Sequence, residues 1–254
     1  MPDLLTDIQE FFRLERSRFG EALLSERRTP AAEEPVTKPA SNPDEPLLFA
    51  PQEMQPAVTH EGWGKAESLA ALDGMINGCM KCALGSTRTR FVFGTGNPRS
   101  TLMLIGEAPG ADEDLQGEPF VGRAGQLLNK ILEAIGFKRE DVYICNILKC
   151  RPPGNRKPLP EESELCLPYL KKQIALVQPQ VILCLGLTAA ETLLRTTEGL
   201  GKLRGRVLEF EGVPVMVTYH PAALLRNPNW KRPAWEDVQA VRALHDKRVA
   251  HQGS

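Results

Sequence analysis

The chain has 254 residues, 42% of them hydrophobic and 25% charged, with a formal net charge of −1. That length suits one large globular domain or two small ones, and no apolar run approaches the ~20 residues that an integral membrane protein needs for a span. The N-terminus, MPDLLTDIQEFF, lacks the basic-then-apolar order of a signal peptide, so the 6 cysteines read as reduced thiols or metal ligands in a cytoplasmic protein, not as a disulfide framework.

Residues 3–28 read as an amphipathic helix, with Leu4, Ile8, Phe11, Phe12, Phe19 and Leu23 at roughly helical spacing. Prolines then recur from Pro30 to Pro56 among acids and few branched residues, so residues 29–60 carry too little apolar surface to fold and read as a disordered, extended linker. The helix is either packed on the body or a tethered docking element for an unknown protein partner, and a linker permits both. Residues 1–60 hold 6 Lys and Arg against 11 Asp and Glu, which leaves 25 against 21 for residues 61–254. A mildly basic body is weak support for a polyanionic ligand.

In the body, residues 61–254, four short branched apolar runs stand out: Thr101–Ile105, Val142–Leu148, Gln180–Leu185 and Val213–Tyr219. Helical patterns lie between and after them, at about Gly122–Ile135, Pro160–Val177, Leu187–Leu194 and Ala234–Lys247. This alternation predicts a three-layer α/β/α fold with a central four-stranded, mainly parallel sheet. Near-continuous apolar strands agree, because such a sheet is buried on both faces. Val207–Phe210 reads as a short hairpin-like piece before the last strand. In this architecture functional loops lie beyond the carboxyl ends of the strands.

The first strand leads into GEAPGADEDLQGEPFVGRAG, residues 106–125. Its glycines let backbone amides approach a ligand, and Gly122 opens a helix where an anion is favoured. The spacing fits neither a dinucleotide fingerprint nor a P-loop. Four acids, Glu107, Asp112, Glu113 and Asp114, argue against a simple phosphate cradle; Asp112 and Asp114 read first as cap and loop residues. The second strand ends in ICNILKCRPPGNRKPLP, where the polar Asn146 either braces a turn or reads a ligand edge. The last strand ends in VTYHPAALLRNP, which puts His220 before a proline, hence in extended conformation at a strand terminus.

The cysteines divide into two groups. Cys145 and Cys184 lie in apolar strands as small core residues. Cys79 and Cys82 form Cys-x2-Cys, while Cys150 and Cys166 flank a basic loop. The Cys79–Cys82 pair follows a helical stretch, which disfavours a thioredoxin-type redox motif. A pair plus two distant cysteines suits four-thiolate ligation of zinc or of an iron–sulfur cluster, and spacing leaves both open.

Taken together, GEAPGADED (106–114), GEPFVGRAGQLLNKIL (117–132), YICNILKCRPPGNRKPLPEE (143–162) and HPAALLRNP (220–228) resemble the family 4 uracil-DNA glycosylases, the iron–sulfur branch of their superfamily. Cys-x2-Cys followed by LGSTRTRFVFGTGNP (84–98) is similar to that family too, so the likeness covers about residues 65–248.

The resemblance implies hydrolysis of the bond between uracil and deoxyribose in DNA, in the base excision repair of DNA damage. It also implies a structural [4Fe-4S] cluster on Cys79, Cys82, Cys150 and Cys166. Phe120 matches the aromatic that stacks on the flipped base, and Asn146 the amide that reads its polar edge. His220 is implied as the donor to uracil O2, where charge develops, assisted by backbone amides of residues 107–110. Ala108 stands in the substrate-binding motif where other branches carry Asp, so Glu107 and Glu113 become the candidates for orienting water. Leu224, Leu225 and Arg226 match the segment that enters the gap left by the flipped base. The first motif runs directly into GEPFVG without the basic insertion of a branch that cross-links to its product, so turnover is expected. A monomer is expected as well. A non-catalytic nucleic-acid-binding zinc module explains the cysteines but leaves Phe120, Asn146 and His220 without a role; an iron–sulfur electron carrier lacks the sequential cysteine pairs of ferredoxins and leaves the loops as decoration.

Overall fold

The computed structural model of the protein describes residues 62–252. The expected helix 3–28 and the linker 29–60 lie outside them.

Four strands form the sheet centre: β2 (Leu102–Gly106), β3 (Tyr143–Asn146), β4 (Val181–Leu185) and β6 (Val213–Thr218). They pair in parallel in the order β3-β2-β4-β6. Every residue of β2, β3 and β4 is buried, which is why these runs are apolar without alternation. The expected four-stranded sheet is corrected to six strands by two short antiparallel edges, β1 (Thr95–Gly96) on β3 and β5 (Leu208–Phe210) on β6. β1 is 2 residues long and carries no apolar signal. β5 is the anticipated hairpin piece, turned by Glu211 and Gly212, both at positive φ as a two-residue hairpin turn of type I′ requires.

Successive side chains of a strand face opposite ways, and the two helix layers follow from it. Met103 and Ile105 share one core with Cys145, Cys184, Leu170, Ile174 and Ala190, so α5 (Pro160–Val177) and α6 (Leu187–Leu194) cover that face. Leu102 and Leu104 share the other with Leu128, Leu132, Val238 and Val241, which belong to α4 (Arg123–Ala134) and α9 (Lys231–Gln252). The bounds of α5 and α6 are those read from the sequence; α9 extends beyond the expected Ala234–Lys247 at both ends. A satellite cluster packs α1 (Leu69–Ile76) through Leu72 and Ile76 against Cys79, Phe93 and Tyr169. The short helices are α2 (Leu84–Thr87), α3 (Ala111–Gln116), α7 (Leu200–Leu203) and α8 (Pro221–Arg226). No helix among the described residues is long and apolar enough to cross a membrane.

Candidate active site

Gly106, Asn146 and the stretch from Thr218 to His220 stand at the carboxyl ends of β2, β3 and β6, the edge where open α/β sheets bind ligands. Gly106 and Asn146 are register partners. Pairing continues past the strands, since Ile147 N–H donates to Gly106 O at 2.9 Å and Leu148 N–H to Glu107 O at 3.0 Å. A methyl group on Gly106 would collide with the Asn146 amide oxygen and lie 2.6 Å from Phe120 Cζ. Only glycine therefore lets Asn146 and Phe120 close on one space.

Asn146 is 2% exposed, and its Oδ1 is, among the described residues, the one buried side-chain polar atom without a hydrogen bond. Buried acceptors are nearly always paired, so this orphan marks a place where a donor belongs.

Phe120 is buried at φ +54°, a left-handed conformation unusual for a bulky residue. Its neighbours hold it there. Glu113 Oε1 accepts from Val121 N–H at 3.0 Å and Gly122 N–H at 3.1 Å, while Oε2 accepts from Gly110 N–H at 3.0 Å. Arg139 donates to the carbonyls of Pro119 at 2.6 Å and Phe120 at 3.2 Å. Gly125 sits so close that a methyl there would collide with the Phe120 carbonyl. Strain that persists because its surroundings over-determine it is characteristic of ligand sites.

His220 faces Phe120 with ring centroids 5.4 Å apart and planes tilted by 31°. It caps α8: its Nδ1 accepts from Ala222 N–H at 3.1 Å. A backbone N–H can only donate, so the ring proton resides on Nε2. Burial first, and the Arg226 guanidinium second, push the imidazole down to about 4, which keeps it neutral near pH 7. Behind it, buried Asp237 accepts from Thr218 Oγ1 at 2.7 Å and from Arg204 at 2.6 and 3.0 Å. Arg204 lies 4.5 Å over Tyr219, which stacks on Trp230. This clamp fixes the end of β6 immediately before His220.

The remaining expected residues are placed as follows. Glu107 and Ala108 are half-buried beside Gly106, and among the described residues no partner engages the Glu107 carboxylate. Asp114 is a brace, accepting from Thr89 N–H at 2.9 Å. Leu224 is 3% exposed and turns inward onto the apolar wall of Leu128, Leu132 and Val238. That leaves Leu225 half-buried and Arg226 exposed. Arg139, Arg204 and Asp237 had no visible motif, because their roles depend on contacts between segments distant in sequence.

Cys79, Cys82, Cys150 and Cys166 share one neighbourhood. Burial pushes Cys150 up to about 11 despite the Arg88 hydrogen bond, and the thiols of Cys82 and Cys79 add to the rise. Burial likewise pushes Cys166 up to about 12, with Cys150 and Cys79 contributing. Arg88 donates to Cys150 Sγ at 3.3 Å and to Cys79 O at 2.5 Å, and Tyr169 O–H donates to Cys79 Sγ at 3.4 Å. Among the described residues no three His, Cys, Asp or Glu side chains are spaced for a metal ion. Cys145 and Cys184 are both 0% exposed in the sheet core, as expected.

Residues 93–239 match the uracil DNA glycosylase superfamily. The chain is 44% identical over 190 residues to a type-4 uracil-DNA glycosylase of Archaeoglobus fulgidus, covering 72% of this chain and 96% of that protein. A type-4 enzyme of Pyrobaculum aerophilum is 47% identical over 168 residues, 63% of this chain and 86% of that protein. A type-5 uracil-DNA glycosylase of the same organism is 33% identical over 164 residues. With Gly106, Asn146 and His220 gathered at the strand ends and the two type-4 relatives matched over 96% and 86% of their own length, this chain belongs to the uracil-DNA glycosylase superfamily and, within it, to the type-4 group.

Proposed function

We infer that this protein is a DNA repair enzyme that excises uracil from DNA, cleaving the bond to deoxyribose and leaving an abasic site. The observation that carries the reading is the orphaned Asn146 oxygen facing the space shared with Phe120. Uracil offers N3–H as a donor and O4 as an acceptor, so one amide satisfies both. Cytosine reverses the pattern and would leave two buried groups unpaired, a strong basis for rejection.

The base must leave the duplex to reach this pocket. Phe120, its backbone held by the Glu113 and Arg139 clamp, provides the stacking face. Leu225 and Arg226 enter the gap and meet the backbone, while inward-turned Leu224 anchors α8 beneath them. As the glycosidic bond lengthens, negative charge gathers on uracil O2 and positive character on the sugar. The neutral His220 donates from Nε2 to O2, with the amides of residues 107–110 assisting. Glu107, free of competing partners among the described residues, orients water and faces the developing cation. Glu113, whose oxygens already hold three backbone amides, acts as a positioning residue.

Cys79, Cys82, Cys150 and Cys166 fit a [4Fe-4S] cluster. When bound, it ties the Cys-x2-Cys loop, the end of β3 and α5 together as a structural staple. The partner is uracil-containing DNA, and the working unit is a monomer.

The test uses anaerobically purified protein and an oligonucleotide with one deoxyuridine. Alkali-labile breaks at that position support the reading. Binding without release of uracil overturns it in favour of a non-catalytic nucleic-acid module.

A further inference from the structure

Lys149 is 0% exposed, rare for a lysine that lacks an ion-pair partner among the described residues. Its Nζ donates to the main-chain oxygen of Asn146 at 2.8 Å and to Gln173 Oε1 at 2.6 Å. Gln173, also 0% exposed, lies on α5, the helix that carries Cys166. Its amide nitrogen donates to Phe93 O at 3.0 Å and to the Tyr143 hydroxyl at 3.1 Å. The main chain of residue 149 is pinned as well, its carbonyl accepting from Val92 N–H at 2.8 Å.

A buried ammonium is costly unless negative charge lies nearby and its donors are satisfied. The Asp73 carboxylate lies within electrostatic reach of Lys149, cysteines deprotonated to hold a cluster would add to that charge, and the clamp takes two of the three ammonium donors. An apolar side chain would fill the same space more cheaply, so packing alone does not account for a lysine here. What the clamp holds is specific: one end is the carbonyl of the residue whose amide faces the pocket, and the other is the cysteine-bearing helix.

We propose that Lys149 is a positioning residue for uracil recognition, its clamp from the Asn146 carbonyl to Gln173 fixing the angle at which the Asn146 amide enters the pocket. The proposal rests on Asn146 being the amide that reads uracil.

The experiment compares the wild type with Lys149→Met, Gln173→Leu and Asn146→Ala, all purified anaerobically. It measures iron per chain, visible absorbance, thermal melting, free-uracil affinity by calorimetry, and kcat and KM on uracil-containing DNA. Both clamp variants are expected to keep iron and cooperative melting, to bind free uracil at least tenfold more weakly, and to raise KM more than they lower kcat. Wild-type uracil affinity in both clamp variants, with affinity lost in Asn146→Ala, overturns the proposal and leaves the Asn146 reading standing. Wild-type affinity in Asn146→Ala overturns the Asn146 reading itself. Loss of iron or of cooperative melting in both clamp variants also contradicts the proposal, because the clamp would then serve the fold. If Lys149→Met alone fails to fold, Gln173→Leu decides through the same measurements.

Discussion

The Glu113 carboxylate accepts hydrogen bonds from the two backbone N–H groups that follow Phe120, at 3.0 and 3.1 Å. Phe120 sits at φ +54°, and such a conformation costs on the order of 1–3 kcal/mol. A carboxylate that takes three backbone amides offsets a cost of that size, since hydrogen bonds to charged groups contribute about 1.5–3 kcal/mol each.

Glu113→Gln keeps one acceptor oxygen and turns a nitrogen donor toward a backbone N–H. The expected outcome is a melting temperature lower by several degrees, at about 2–4 °C per kcal/mol for a domain of this size. Uracil excision should fall about tenfold or more as Phe120 loses its fixed orientation. Calorimetric melting and single-turnover kinetics check both. A large rate loss with unchanged melting would instead make Glu113 a participant in the chemistry.

His220 enters as a neutral donor, because burial and Arg226 hold it down to about 4. Its folded value lies below the unfolded value of about 6.5, so acid favours the unfolded chain. Its contribution to stability is present above pH ~6.5 and lost as pH falls toward 4. Excision should therefore show no inflection from this group between about pH 6 and 8. His220→Ala should lower the single-turnover rate by about 10²–10³, the usual cost of one such donor. A pH profile in which protonation near 6.5 abolishes excision, and which flattens in His220→Ala, would contradict this.

The two classes of cysteine should separate in metal analysis. Cys166→Ala is expected to lower iron content and brown colour sharply in anaerobically purified protein. Cys145→Ala and Cys184→Ala should leave both intact, each costing only the stability of a small core truncation. One zinc and no iron in the wild type would contradict the assignment.

What the sequence made legible follows from burial. β2, β3, β4 and β6 stand out because strands covered on both faces must be apolar throughout, Asn146 and His220 stand out as polar residues at the ends of two of those strands, and Phe120 was legible only through the family resemblance. β1 was invisible because a 2-residue edge carries no periodicity. The segment PAALLR gave no helical signal of its own, and it is His220 that caps it into the short helix α8. Glu113 was visible as an acid but not as a brace, because its partners are backbone amides at Gly110, Val121 and Gly122 that no motif encodes. Arg139, Lys149 and the Arg204–Asp237 pair gain their meaning only once distant segments meet.

The boundary near residue 61 remains a proposal with its own test. The superfamily match begins at residue 93, and the expected site residues begin at Cys79. A chain starting at Glu61 is expected to keep its iron and to excise uracil at close to the full-length rate. A loss beyond about tenfold, ~1.4 kcal/mol of barrier, would place part of residues 1–60 in the working fold.

Recognition of uracil through the orphaned Asn146 amide is tested most directly by Asn146→Asp, with excision measured on matched oligonucleotides carrying uracil or cytosine at one position. A protonated carboxyl can donate to cytosine N3 and accept from its N4 amino group, the reverse of the amide's pattern toward uracil. The expected result is slower uracil excision together with measurable cytosine excision, in protein of unchanged iron content. Uracil excision at the wild-type rate, with cytosine still refused, would contradict the account and leave Asn146 as a structural brace.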